Sequence, residues 1–348
     1  MLFRLHELKY TAVYTTPLVV FFSLYVGGHY SYFALIFLFG LIPVLELFTR
    51  ASKKNLSPDE EVMVKKSRVY DTILYSLVPI QYGLMVYFLF TLQREGLGLL
   101  EMFGLITAFG MSCGVLGINA AHELGHRSGK MEQTMSKMLL LTSQYMHFFI
   151  EHNRGHHRYV STDEDPASAR FGESVYQFWW RSITGSWLSA WHLEQKRLKN
   201  KGASFWSSQN EMFVFLIIQH FLLVMILLIF NVFTLLCYVL AAGIGILMLE
   251  TVNYIEHYGL RRKKINGRYE RTLPIHSWNS NHPIGRLLLL ELSRHSDHHY
   301  MASRPYPLLR HFDDSPQMPT GYPGMMLLSL APPLWFYVMH KRISFYIL

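Results

Sequence analysis

Charge is scarce in this sequence. Asp, Glu, Lys and Arg make up 16% of its 348 residues, against 51% hydrophobic and 15% aromatic residues. A soluble domain of this size carries about 25% charged residues. The shortage therefore excludes an ordinary water-exposed surface on every side and points to residence in a membrane. Cysteine is scarcer still: Cys113 and Cys237 both lie inside apolar runs. With no CxxC pair, the chain encodes no zinc ribbon, no iron–sulfur ligand set and no rubredoxin-type four-cysteine site. The two cysteines read as small core residues. Internal repeats, low-complexity tracts and nucleic-acid-binding motifs are also missing. The net charge of +8 comes from Lys and Arg bunched in connections, not from a basic stripe interleaved with aromatics. Such bunching suits topology signals and contact with anionic lipid. The opening MLFRLHELKY has no short apolar core followed by a small-residue cleavage site, so no removable signal peptide is expected.

Long apolar runs are what the sequence does have. Six can be drawn, at 11–27, 30–48, 72–92, 99–120, 212–230 and 232–255. Each is about the length a helix needs to cross the hydrocarbon core at ~1.5 Å per residue. They are continuous rather than alternating, which excludes a β-barrel. The expected fold is all-α, a polytopic integral membrane protein with about six transmembrane helices in one domain over residues 1–348. Shorter apolar stretches at 136–150, 286–293 and 323–339 are expected to be buried or interfacial helices. Gly27-Gly28-His29 makes the first turn, and the fifth and sixth runs pivot near Asn231. The linker 49–70 is a solvated charge run. Lys53, Lys54, Lys65, Lys66 and Arg68 follow the second run, Arg127, Lys130 and Lys137 the fourth, and Arg261, Arg262, Lys263 and Lys264 the sixth. The positive-inside rule then places both termini and the catalytic segments 121–211 and 256–348 in the cytoplasm.

Eighteen histidines are out of place in so apolar a chain. Nine are scattered singly: His6, His29, His147, His192, His220, His276, His282, His311 and His340. Single buried histidines are usually hydrogen-bonded core residues, and these are read so. The other nine fall in four groups: His122 and His126 in HELGH, His152, His156 and His157 in EHNRGHH, His257 in NYIEHYGL, and His295, His298 and His299 in RHSDHH. Residues three or four apart on a helix share a face. The pairs His122/His126, His152/His156 and His295/His299 should therefore each aim two imidazoles at one point, with His298 beside the last. Two groups end apolar runs and two lie in connections, all on the side the charges mark as cytoplasmic. Burying so many imidazoles there without a metal would be costly.

HELGH alone also fits the HExxH pattern of zinc proteases. A catalytic zinc takes three protein ligands, and seven further histidines exceed that need, so a dinuclear site is the economical reading. A metal transporter would carry its ligands near the bilayer midplane rather than at helix ends. Glu123, Glu151, Glu256 and Asp297 adjoin the histidines. They are expected to hold the far ring nitrogens of metal-bound imidazoles, with helix-end solvation or pairing to Arg127, Arg154 or Arg294 as the plainer role. A bridging carboxylate is a further option. Asp163, Glu164 and Asp165 either support the site or form a turn ending at Pro166.

HELGHR, EHNRGHH, NYIEHYGL and RHSDHH resemble the histidine boxes of the membrane alkane 1-monooxygenases, within the fatty-acid desaturase and hydroxylase superfamily. GRYERTLPIHSWNSNHPIGRLLLLELSRHSDHH and LRHFDDSPQMPTGYPGMM resemble that family especially, and NYIEHYGL separates it from ordinary desaturases. The resemblance spans about 10–340. It implies two non-haem irons held by His122, His126, His152, His156, His157, His257, His295, His298 and His299, with O2 as co-substrate. It implies terminal hydroxylation of n-alkanes reached through a hydrophobic channel, in a bacterial inner membrane. Electrons would come from rubredoxin, itself reduced by a flavin-dependent reductase. Arg261, Arg262, Lys263 and Lys264 are one candidate docking patch for such an acidic carrier, or topology signals only. Methyl-arenes such as xylenes, and fatty acyl chains that would be hydroxylated or desaturated, are the alternative substrates on the same scaffold.

Overall fold

A computed structural model describes residues 6–346. Helices account for nearly all the regular structure, as the apolar runs require. The first run gives α1 (Thr15–Val26), which a 3-10 turn over Lys9–Tyr14 leads into. Five further helices are long and apolar enough to cross a membrane: α2 (Gly28–Phe48), α4 (Val69–Thr91), α5 (Leu99–Gly125), α9 (Glu211–Ile229) and α10 (Val232–His257). The run at 11–27 is the exception among the six. Its α-helical part is 12 residues, about 18 Å at 1.5 Å per residue and by itself short of the ~30 Å hydrocarbon core, but with the 3-10 turn it runs from Tyr10, bonded to Glu291, to Gly27, beside Arg94 and Glu101, and so traverses the bundle. Side chains such as Leu18 and Tyr25 on α1, Leu47 and Phe48 on α2 and Leu228 on α9 are exposed, and they form the belt that lipid would cover.

The remaining helices sit at one end of this bundle. They are α3 (Pro58–Lys66), α6 (Lys130–Thr142), α7 (148–159), α8 (Val175–Lys201), α11 (Pro283–Leu288), α12 (His295–Tyr300), α13 (Tyr322–Ser329) and α14 (Pro332–Ile343). The stretch 286–293 is helical only at its start, because Leu290 and Glu291 both adopt left-handed backbone. The stretch 323–339 is two helices, broken where Pro332 opens the second. The 27-residue α8 was not expected. Its start is a capping box of Ser174 with Gln177, and Gly202 in left-handed conformation ends it. Asn231 caps α10 by accepting from the Thr234 amide, which makes the α9–α10 turn. The only strands among the described residues are β1 (Lys264–Ile265) and β2 (Arg268–Tyr269), an antiparallel hairpin.

α5 and α10 both run toward this end, and they carry His122 and His257 at their final turns. They approach closely because small residues line the seam. A Cβ on Gly245 of α10 would stand 2.6 Å from the Cys113 Cβ and 3.0 Å from the Gly114 amide nitrogen. Gly110 and Gly114 of α5 meet Ile244 and Met248 in the same way. Close backbone approach at small residues is the usual way membrane helices gain packing energy. Gly245→Ala should force the two helices apart, cost about 1–3 kcal/mol as overpacked cores do, and lower the melting temperature and the bound metal together. A melting curve and a metal assay on one preparation would check this.

Candidate metal centre

The histidine groups converge, but not as spacing alone suggests. His122, His126, His152, His157 and His298 bring ligand atoms within 4.8 Å of one another, and His156, His257, His295 and His299 do the same. His122/His126 and His295/His299 share a group, as i,i+4 pairs should. His152 and His156 do not, and His298 leaves its two neighbours for the five-membered group. The cause is local. Residues His152–His156 form a π-helical turn, whose i→i+5 closure brings His157 rather than His156 back onto the face of His152. A second π-helical stretch, Cys113–Asn119, comes just before His122. Such bulges gather at functional sites.

In the larger group the Nε2 atoms form a closed ring. His122 to His298 is 3.0 Å, His298 to His157 3.1 Å, His157 to His152 3.0 Å, His152 to His126 3.1 Å and His126 to His122 3.4 Å. A neutral imidazole nitrogen either donates or accepts. Donors and acceptors cannot alternate around five positions, so hydrogen bonding cannot satisfy this ring. Five lone pairs facing one cation would. Ligands set at right angles, ~2.1 Å from an ion, stand about 3.0 Å apart, which matches these separations. In the smaller group His156 and His299 are 3.2 Å apart and His257 and His295 3.1 Å. The two groups touch, with the His157 and His299 rings 4.5 Å apart. Burial disfavours the charged form of six of these imidazoles: it lowers His126 to about 3 and holds His152, His157, His295, His298 and His299 well below the usual range. Neutral nitrogens are the form that binds a metal. His126 and His157 alone of the nine are partly exposed.

Most of the carboxylates do not hold a far ring nitrogen, and Glu123 takes the plainer of its expected roles. Glu123 binds Arg127 at 2.9 Å and accepts from the Tyr306 amide, so it is committed away from the general-base role that a zinc-protease HExxH site needs. Glu151 accepts from Ser189 at 3.4 Å, and burial beside Asp165 and Glu250 raises its pKa. Asp297 holds Arg310 and Arg304, both within 3.3 Å. None of these three bonds a histidine ring. Asp165 does: its Oδ2 is 2.9 Å from Nδ1 of His156. Burial would raise this carboxyl, but His156 and Ser168 outweigh it and hold it below its usual value. Glu256 reaches a histidine by the other nitrogen. Its Oε2 lies 3.2 Å from Nε2 of His295, while Oε1 accepts from the Tyr322 hydroxyl at 2.7 Å. Arg261 and Arg262 are half-buried, the first 3.7 Å from Asp163, the second donating to the carbonyls of Glu270 and Arg158. Lys263 and Lys264 are exposed on the hairpin.

A chamber with an almost wholly apolar wall ends on this site. Leu38, Phe39 and Ile42 of α2, Val115 and Ile118 of α5, and Met248 and Val252 of α10 are in its wall, and His122, His152, His295 and Glu256 close its metal end.

Known proteins resemble this chain over most of its length. The fatty acid desaturase family model matches residues 99–329. Alkane 1-monooxygenase 1 of Pseudomonas aeruginosa is 42% identical over 323 residues, 91% of this chain and 84% of the relative. Alkane 1-monooxygenase of Acinetobacter baylyi is 40% identical over 304 residues, 87% and 74%. The chain belongs to the alkane 1-monooxygenase family. It is a membrane-integral monooxygenase whose clustered histidines suit non-haem iron. A more distant relative of this alkane 1-monooxygenase family member is the xylene/toluene monooxygenase hydroxylase component of Pseudomonas putida, 28% identical over 278 residues, 78% of this chain and 73% of the relative.

Proposed function

We propose that the protein inserts one oxygen atom of O2 into the terminal C–H bond of a medium- or long-chain n-alkane. One alkane, one O2, two electrons and two protons give one 1-alkanol and one water. The observation that carries this reading is the apolar chamber that ends on His122, His152, His295 and Glu256. An alkane offers no polar handle, so only shape and burial can hold it, and positioning is a large part of the catalysis.

His122, His126, His152, His157 and His298 would hold one iron, and His156, His257, His295 and His299 the second. Zinc in their place would lack the redox chemistry; iron, when bound, supplies the activation of O2 and the oxidation of the C–H bond. Val115 and Ile118 lie on the His122 face of α5, one to two turns away, and would set how far the chain must reach. Asp165 would keep the His156 ring turned to the metal. The chain has no four-cysteine site, so its electrons come from a separate carrier, which we take to be rubredoxin with its flavin-dependent reductase. The partly exposed His126 and His157 mark the side it would approach, and the exposed Lys263 and Lys264 suit an acidic partner better than the pinned Arg261 and Arg262. The alternation of basic residues supports an orientation with this end, and both termini, on the cytoplasmic side of the inner membrane.

Product analysis tests the reading. Cells making the chain with a rubredoxin system would receive medium-chain alkanes, xylenes and fatty acids. Terminal alcohols from the alkanes are expected. Products only from xylenes, or desaturated acyl chains, would defeat it. Val115→Phe should shorten the preferred alkane by a few carbons, read as the shift in product chain length. An unchanged chain-length profile would remove Val115 from the substrate path.

A further inference from the structure

A second concavity lies at the same end of the bundle, on the other side of α11. It runs between the start of α1, the segment after α2, and α11, and its wall includes His6, Lys9, Lys54, Glu60, Arg286 and Glu291. Its acids are engaged elsewhere. Glu291 is held by Arg286 at 2.6 Å and by the Tyr10 hydroxyl at 2.9 Å. Glu60 accepts the Ser57 amide as part of a helix cap. Among the described residues neither Lys9 nor Lys54 has a carboxylate within salt-bridge distance. The Lys9 ammonium bonds His6 at 3.0 Å and lies over the Tyr10 ring, 4.8 Å from its centroid. Burial lowers its pKa, Glu291 partly offsets this, and the nearby cations Arg286, Arg294 and Lys54 lower it further. A half-buried ammonium among three other cations and one committed acid is a place an anion would relieve.

Its position says which anion. Leu8, beside Lys9, is 57% exposed, and Phe48, four residues before the lining Ser52, is 83% exposed. Those side chains belong to the apolar belt, so the groove opens at the level where hydrocarbon gives way to headgroups. Basic pockets between membrane helices at this depth take phospholipid headgroups, and lysine binds phosphate as a point charge.

We propose that this groove binds the phosphate of an anionic phospholipid through Lys9 and Lys54, with its acyl chains along the exposed sides of α1 and α2. The bound lipid would brace α11, whose Arg286 and Leu287 face the groove while Gly285 and Leu288 face the substrate chamber. The proposal does not depend on which substrate the chamber takes.

The test compares full-length protein in nanodiscs of phosphatidylcholine alone and of phosphatidylcholine with phosphatidylglycerol. The anionic lipid should raise the melting temperature by about 2 °C, the shift expected of a ligand near ten times its dissociation constant. Lys9→Gln/Lys54→Gln should lose that shift. Lys196→Gln/Lys199→Gln, two exposed cations removed from α8, should keep it. Native mass spectrometry should show a phosphatidylglycerol retained by the wild type and the α8 variant and lost from the groove variant. An equal shift in both variants, no shift in the wild type, or the same shift from inorganic phosphate in phosphatidylcholine discs would each overturn the proposal.

Discussion

Alanine at His122 is expected to yield a protein that still inserts and keeps its helical content but holds little iron and makes no measurable alcohol. His122 sits in the five-membered ring of nitrogens, 3.0 Å from His298 and 3.4 Å from His126, and closes the metal end of the chamber. Its removal takes away one lone pair and opens the site toward the substrate. Residues that only orient a ligand cost about 10–100-fold in metal affinity or activity when changed, so losing the ligand itself should exceed that range. His298→Ala should behave alike, although it lies 176 residues away in sequence. His311→Ala is the matched comparison. That buried imidazole is bonded to Asn281 and Asp313, outside both groups, and should leave the iron content unchanged. Iron measured per chain, circular dichroism and turnover decide the matter. Full activity in either ligand variant would remove that histidine from the site.

Glu256→Gln is expected to lower turnover by roughly 100-fold, the upper end for groups acting through a metal's surroundings, while most of the iron stays bound. The carboxylate is fixed by Tyr322 through Oε1, and its other oxygen faces the metal-directed nitrogen of His295 across 3.2 Å. Glutamine keeps the volume and can keep the tyrosine's bond, but it brings no charge and a poorer ligand atom. The variant thus separates a carboxylate that works at the metal from one that merely packs. Tyr322→Phe leaves the charge and removes only the anchor, so a loss of about tenfold is expected, equal to ~1.4 kcal/mol. Near-normal turnover in Glu256→Gln would reduce Glu256 to a partner for Tyr322.

Five of the six runs were legible as spans because length and hydropathy are local properties, and so were the helix start at Asn231 and the turn at Gly27. α8 was harder to read. It is studded with Trp, Lys and Gln, and its one clear mark is the Ser174/Gln177 cap. The nine histidines could be named from their boxes, yet their division between two groups could not. Spacing assumes α-helical turns, and the π-helical turn at His152–His156 changes which neighbour shares a face. Asp163, Glu164 and Asp165 could be named together as a support or a turn, but not which of them does what: Asp165 comes nine residues after His156 and returns to it only through a turn. Glu256 was visible beside His257, but the nitrogen it faces depends on how α12 docks against α10.

α12 contributes to both groups, His298 to one and His295 and His299 to the other. This gives the protein an order of assembly. On a ribosome, a nascent chain that has not reached residue 295 offers four of the five histidines of the larger group and two of the four of the smaller. Neither histidine group is complete until the last box has been translated and folded back against α5, α7 and α10. The earlier helices must therefore insert, and hold their polar side chains together, before any metal can reward them for it.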